Sequence, residues 1–334
     1  MKAIILPEYN SNVIRAMRSL QVAEIEIPKT SESQLLIKVT GAPCNPSDIA
    51  FMLGGYNIRK PLPAVMGFEC TGTVVETGAG PELSSWIGKR VSCFTQDEES
   101  GTWAEYIVTR PDNCLVLRDD LDDEQAAALC INPFTAYALF SMAMKKGARA
   151  IIQNGASGQV GIFIRALAKR QGIPVINLVR KEEHENELTV QGEKHVLNLN
   201  DPDLETKLRA LAQDLHAGIA FDAVAGDGSG LMLNSMPPGS ELIIYGGLSG
   251  KPAGTLNPLD IIFKSKSVRG FNLGDWKQEV GEKYYSDASA ELQQLIADRV
   301  LFTRIRGTYP LGEIQVAMEK YIRNMSAGKI LLRP

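Results

Sequence analysis

The stretch Ala150-Ile151-Ile152-Gln153-Asn154-Gly155-Ala156-Ser157-Gly158-Gln159-Val160-Gly161 decides how the chain is read. Ala150 to Gln153 is a compact apolar run of strand length. Val160, Ile164, Leu167 and Ala168 then keep helical spacing up to Gly172. Between them lies a glycine-rich turn. Glycines let a backbone approach a pyrophosphate closely, and a helix N-terminus offers it free N–H groups and a positive dipole end. The spacing is Gly-x-x-Gly-x-x-Gly, not the Gly-x-Gly-x-x-Gly fingerprint, so the bare string also fits a plain strand–helix turn. Its setting favours a dinucleotide, because Pro174 to Val179 follows as the next buried strand. Gly155, Ser157, Gly158, Gln159, Val160 and Gly161 are the candidate cradle.

The end of that second strand selects the nucleotide. An NAD site usually carries an acid there to hold the ribose hydroxyls. This chain has Leu178-Val179-Arg180-Lys181. An Arg at that place can grip a 2′-phosphate bidentately and stack on adenine, so Arg180 and Lys181 point to NADPH. The plainer alternative is a surface Arg beside Glu182 and Glu183, with Lys181 to Glu187 a solvated helix start.

Working outward, strand–helix alternation continues. Asp201-Pro202 supplies an N-cap and first-turn proline to a helix with Leu204, Leu208, Leu211 and Leu215 on one face. Further strands fall at Ile219 to Val224, Glu241 to Tyr245 and Ser267 to Phe271. Such alternation means a parallel sheet covered on both faces. Tyr245-Gly246-Gly247 then stands at a strand's carboxyl end, where open α/β sheets bind ligands. Upstream, Gln34 to Val39, Thr71 to Glu76, Lys89 to Phe94 and Trp103 to Val108 are short β-rich runs separated by turn residues, the rhythm of a barrel or sandwich. Asn45-Pro46-Ser47-Asp48 turns into a short helix that Gly54-Gly55 breaks. The tail carries helices at about Asp287 to Val300 and Gly312 to Met325 and a last strand at Lys329 to Leu332.

Composition agrees with two folded domains. The chain has 334 residues, 44% hydrophobic and 22% charged, which excludes a disordered or fibrous protein. Its net charge of −4 gives no electrostatic reason to seek nucleic acid, so the expected partner is a small molecule. No apolar stretch approaches a membrane span. Cys44, Cys70, Cys93, Cys114 and Cys130 are odd in number, scattered and free of any Cys-x-x-Cys pair, which suits a reducing compartment, the cytoplasm. His184, His195 and His216 lack ligand spacing, so no metal site is expected.

A β-rich N-terminal part, a dinucleotide fold and a returning tail resemble the medium-chain dehydrogenase/reductase superfamily over nearly the whole chain. The zinc alcohol dehydrogenases within it carry a Gly-His-Glu motif and a ligand Cys. Here Gly67-Phe68-Glu69 and Asn45 stand at those places, and the four-Cys lobe is missing. The chain is most similar to zinc-independent members, the mitochondrial-type 2-enoyl thioester reductases and then the quinone oxidoreductases. Asn45-Pro46-Ser47-Asp48, Gly55-Tyr56, Ile131-Asn132-Pro133 with Thr135-Ala136-Tyr137, and Ile152-Gln153-Asn154 carry the likeness. It continues through Ile176 to Arg180, Tyr245-Gly246-Gly247, Ile262-Phe263-Lys264 and Arg269-Gly270-Phe271 on to Trp276-Lys277. The glycine loop and Asn272 depart from the enoyl reductase pattern.

The resemblance implies an α/β protein, a GroES-like β-rich catalytic domain (1–122 and 269–334) plus a Rossmann NADPH-binding domain (123–268). It implies a homodimer, and reduction of an activated C=C bond without zinc. By the same carry-over Tyr56 is the proton donor and Trp276 lines the acyl cleft. Asn45 and Asn132 orient the nicotinamide amide or substrate carbonyl, and Thr135 touches the ring. Phe271 and Lys329 help close the cofactor site. Two other functions stay open: an NADPH:quinone oxidoreductase, and a catalytically idle NADPH-binding protein like the crystallins of this superfamily.

Overall fold

The computed structural model describes residues 1–334. In chain order the first elements are β1 (Lys2–Leu6), α1 (Val13–Ser19), β2 (Gln21–Glu24), β3 (Leu35–Pro43), α2 (Pro46–Met52), β4 (Ala64–Val65), β5 (Glu69–Thr77), β6 (Arg90–Phe94), β7 (Tyr106–Thr109), β8 (Cys114–Val116) and α3 (Asp123–Ala127). Next come α4 (Asn132–Lys145), β9 (Ile151–Gln153), α5 (Gln159–Arg170), β10 (Val175–Val179), α6 (Glu182–Val190), β11 (His195–Asn198), α7 (Leu204–Asp214) and β12 (Ile219–Asp222). The rest are α8 (Asp227–Ser235), β13 (Glu241–Ile244), α9 (Pro258–Lys264), β14 (Ser267–Gly270), α10 (Leu273–Ala297), β15 (Ile305–Pro310), α11 (Ile314–Arg323) and β16 (Lys329–Arg333).

Two compact units result, one formed by residues 1–133 with 289–334 and the other by 134–288. These divisions fall later than the 122/123 and 268/269 expected from sequence. Helix α3 buries Ala126 and Ala127 in the first unit. Phe134, Trp276, Tyr284 and Tyr285 form one aromatic cluster in the second.

In the first unit a seven-stranded sheet runs β15-β16-β3-β5-β6-β8, with β7 also paired to β3. A smaller sheet runs β2-β1-β4. The returning tail completes the unit: Leu331 lies opposite Pro43 and Leu332 opposite Ala42. Strand β3 buries Ile37 and Val39 while exposing Lys38 and Thr40, the period-2 pattern of a sheet with one core face. Its core holds Leu6, Ile37, Phe51, Phe68, Trp103, Ile330 and Leu332.

The second unit has a six-stranded, all-parallel sheet ordered β11-β10-β9-β12-β13-β14. Every residue of β10 is buried, as a strand covered on both faces requires. Strand order reverses between β9 and β12, so their carboxyl ends mark the ligand crevice of this topology. Two helix starts differ from expectation for a visible reason. Helix α7 starts at Leu204, because the Asp201 carboxylate accepts from Asp203 N at 2.9 Å and makes Asp201-Pro202 a preceding turn. Helix α10 starts at Leu273, because Asn272 Oδ1 accepts from Gly274 N (2.8 Å) and Asp275 N (3.1 Å) as a cap. Gly281 breaks it at φ 76°.

Candidate active site and cofactor site

The glycine turn of the second unit is shaped from below by buried polar groups. Gly155 takes φ +59°, a conformation glycine adopts freely. A Cβ on Gly161 would lie 2.7 Å from the Ala156 carbonyl oxygen, so only glycine lets α5 start this close to the turn. Gln153 Nε2 donates to the Gly161 carbonyl at 3.2 Å and to Asn177 Oδ1 at 2.8 Å. Arg165 donates to the Ala156 carbonyl and pairs with Glu193. Gly158 caps α5 without any side-chain hydrogen bond, and the positive end of the helix dipole lies at the turn.

Across the switch point, Asp222 ends β12 fully buried. It accepts from Asn154 Nδ2 (2.6 Å), Val224 N (2.9 Å), Ala225 N (2.8 Å) and Ser229 Oγ (2.6 Å). Asn154 Oδ1 in turn accepts from Ala223 N at 2.7 Å. These bonds lock the β9 and β12 ends together. Gly246 follows β13, where a Cβ would come within 2.6 Å of the Ala223 carbonyl, and Gly247 faces open space. Burial, with the Asp222 charge behind it, pushes the Tyr245 phenol well up. At the end of β10, Arg180 is exposed, while Lys181 is tied to Glu183 at 3.0 Å. Arg180 is therefore the freer cation. Phe271 N donates to the Ile244 carbonyl at 2.9 Å, holding that residue beside the β13 end. Thr135, buried on α4, belongs to this unit too.

The first unit gathers a different group. Asn45 precedes α2, whose first residue is Pro46, and Asp48 Oδ2 accepts from Asn45 N at 2.7 Å. Asn45 Nδ2 donates to Glu69 Oε2 at 2.9 Å, and Glu69 Oε1 accepts from Ile131 N at 2.8 Å. Lys329 Nζ donates to Asn45 Oδ1 and to the Cys44 carbonyl at 3.2 Å. One buried cation thus sits among two buried carboxylates. Burial pushes Asp48 up to about 7 against the pull of Asn45 N–H and Lys329. Burial likewise raises Glu69, offset by Lys329, and lowers Lys329 itself.

Tyr56 stands just beyond Gly54-Gly55, half-buried, its ring stacked on Phe68 with centroids 5.4 Å apart. Gln96 Nε2 donates to its phenol oxygen at 3.1 Å. Burial first and the Asp48 charge second raise the phenol, so it stays protonated at neutral pH; the Gln96 hydrogen bond opposes them. Ser47 Oγ and Asp48 Oδ1 are buried without a hydrogen-bond partner, an unusual concentration of unsatisfied polar atoms. Nearby Lys60 lies over the Phe51 and Phe68 rings and is lowered to about 8 by burial.

Sequence similarity agrees with this geometry. The alcohol dehydrogenase GroES-like domain profile matches residues 31–119, and the zinc-binding dehydrogenase profile matches residues 160–291. A quinone oxidoreductase of Sus scrofa is 31% identical, over 93% of this chain and 92% of that protein. The chain belongs to the medium-chain dehydrogenase/reductase superfamily. A mitochondrial enoyl-[acyl-carrier-protein] reductase of Bos taurus is 27% identical over 94% of this chain and 84% of that protein. A crystal structure provisionally named NADPH:quinone reductase, from Mesorhizobium loti, superposes with TM-score 0.93 at 33% identity, over 100% of this chain and 98% of that one.

In this superfamily member the first unit contains Asn45, bonded to Lys329, together with Tyr56 and, near its boundary, Asn132; the second contains the glycine turn, Arg180, Tyr245 to Gly247 and Phe271. Trp276 is 4% exposed and meets Tyr284 and Tyr285 edge-on at 6.2 and 6.3 Å, inside the second unit's aromatic cluster. Asp48, Glu69, Gln96, Asn154 and Asp222 escaped sequence reasoning. Asp48, Glu69 and Asn154 lay in recognised stretches, but nothing in a sequence marks a polar side chain as buried. Gln96 has no local signal, since its partner Tyr56 is 40 residues away.

Proposed function

We propose that the chain is an NADPH-dependent reductase of an activated C=C bond, a 2-enoyl thioester or related enone, working without zinc. The carrying observation is Tyr56: a half-buried, raised phenol beside two unsatisfied polar atoms, fixed by Phe68 and Gln96. NADPH, when bound, supplies the hydride. The Gly155 to Gly161 backbone and the α5 N-terminus hold its pyrophosphate, and Arg180 takes the 2′-phosphate. Tyr56 hydrogen-bonds the substrate and gives its proton to the α-carbon. An enolate is a far stronger base than phenolate, so the transfer runs downhill even from a raised phenol. Gln96 Nε2–H stays on the oxygen and stabilises the phenolate that forms.

Zinc does not suit the first unit. Phe68 and Asn45 stand where the zinc enzymes have ligands, and the Lys329 ammonium already neutralises Glu69 and occupies Asn45 Oδ1. A dication there would meet a fixed positive charge.

A second reading, an NADPH:quinone oxidoreductase, draws on the 31% identity to the Sus scrofa protein of that name, against at most 29% for the enoyl reductases. NADPH oxidation by the purified protein with a trans-2-enoyl-CoA series, and separately with an ortho-quinone, separates the two. Tyr56→Phe should slow double-bond reduction about 10²- to 10⁴-fold with NADPH affinity unchanged. Full activity in the variant removes the acid role, quinone turnover alone promotes the second reading, and tight NADPH binding without turnover leaves an idle binding protein.

The protein is further inferred to be a cytoplasmic homodimer. Strand β14 is an exposed sheet edge, and α9 beside it exposes Leu259, Ile262 and Phe263. Light scattering on wild type and Phe263→Glu tests this, dimer against monomer.

A further inference from the structure

Three of the five cysteines, far apart in the sequence, form a row across the first unit's sheet. In the register of β5, β6 and β8, Cys70 lies opposite Cys93 and Cys93 opposite Cys114. All three face the apolar core.

The hydrogen-bond pattern separates the two pairs. Thr95 N donates to the Phe68 carbonyl at 2.9 Å, so Phe68/Thr95 and, two positions on, Cys70/Cys93 are hydrogen-bonded pairs, with Cα atoms about 5.5 Å apart. Leu117 N donates to the Arg90 carbonyl at 3.0 Å. Three positions further along β6 the parity is reversed. Cys93/Cys114 is therefore a non-hydrogen-bonded pair, with Cα atoms about 4.5 Å apart and side chains closer. Both separations fall inside the disulfide window, and the non-hydrogen-bonded pair holds its side chains closer; the thiol contact that bears most on Cys93 is the one from Cys114.

Exposure and protonation differ as a dithiol pair requires. Cys93 and Cys70 are fully buried, whereas Cys114 is half-exposed on β8, an edge strand. Hydrogen bonds from Cys114 and then Cys70 hold the Cys93 thiol below its ordinary range, while the bond to Cys93 and burial push Cys70 up.

We propose that Cys93 and Cys114 are a redox modification site, a dithiol that hydrogen peroxide converts to a cross-strand disulfide. The Cys114 sulfur attacks one peroxide oxygen, the O–O bond breaks, and hydroxide leaves and takes the thiol proton as water. The sulfenic acid at Cys114 is then attacked by the Cys93 sulfur. The S–O bond breaks, the S–S bond forms, and the departing hydroxide takes the second thiol proton. Two sulfurs are each oxidised by one electron, and peroxide is reduced to two waters. A dithiol reductant reverses the step. The bond pins edge strand β8 to β6 and closes a loop in the unfolded chain.

The test treats the reduced full chain with stoichiometric hydrogen peroxide, blocks remaining thiols and digests without reductant. Cleavage after Glu98, Glu99 and Glu105 separates the Cys93 and Cys114 peptides. The expected product is a Cys93–Cys114 linked peptide, abolished by dithiothreitol, unchanged in Cys70→Ser and absent in Cys114→Ser. The oxidised wild type should melt several degrees higher than the reduced protein, a shift that Cys114→Ser loses. A Cys70–Cys93 link, over-oxidised Cys114 with no link, or no thiol loss would each overturn the proposal.

Discussion

Asp48→Asn probes the buried charge cluster most directly. The substitution keeps the shape and leaves an oxygen to accept from Asn45 N, now at 2.7 Å, while removing a carboxylate whose other oxygen is orphaned. Burial lifts Asp48 from 3.8 to about 7, so between those values the folded protein holds a proton that the unfolded chain has lost. Wild-type stability therefore falls as pH rises through this window, at up to about 1.4 kcal/mol per pH unit. The cost is complete above about pH 7 and absent below the unfolded value. The amide that replaces the carboxyl does not titrate, so the variant should gain about 3 kcal/mol on wild type between pH 5 and pH 8. Denaturant melts at four pH values read this, in a Trp276→Phe background that leaves Trp86 and Trp103 to report on the first unit. A stability difference independent of pH would refute the reasoning, since it would mean Asp48 is ionised in the folded protein across this window just as it is in the unfolded chain.

Lys329→Met should destabilise the first unit by about 3–5 kcal/mol, because two buried carboxylates lose their cation, and a melt that moves by under one degree would show they are solvated. Arg180→Ala should raise the KM for NADPH roughly 10- to 100-fold and leave that for NADH unchanged, measured by steady-state kinetics with either cofactor. Gly161→Ala should cost about 1–3 kcal/mol and weaken NADPH binding in a fluorescence titration, since its Cβ meets Ala156 backbone at 2.7 Å.

Much of the second unit was legible in the chain. Periodicity placed β9, α5 and β10 within a residue or so, because a doubly covered strand and an amphipathic helix each write a local pattern. Strand β1, strand β2 and helix α1 went unread. Lys2–Leu6 is short, and α1 rests on the Asn12 side chain accepting from Ile14 N and Arg15 N at 3.1 Å, a cap no hydrophobic period announces. Asp201-Pro202 misled in the opposite way, since turn and N-cap use the same residues.

The sequence by itself determined the α/β architecture, the nucleotide half and the glycine turn, because each depends on residues within a few positions of one another. Only the tertiary structure decided the charge cluster and the thiol row. Lys329 reaches Asn45 because β16 pairs with β3 across 284 residues, and Cys70, Cys93 and Cys114 align because of strand register. Register is fixed by burying a whole sheet face at once, and burial is what turns an ordinary carboxylate or thiol into a perturbed one.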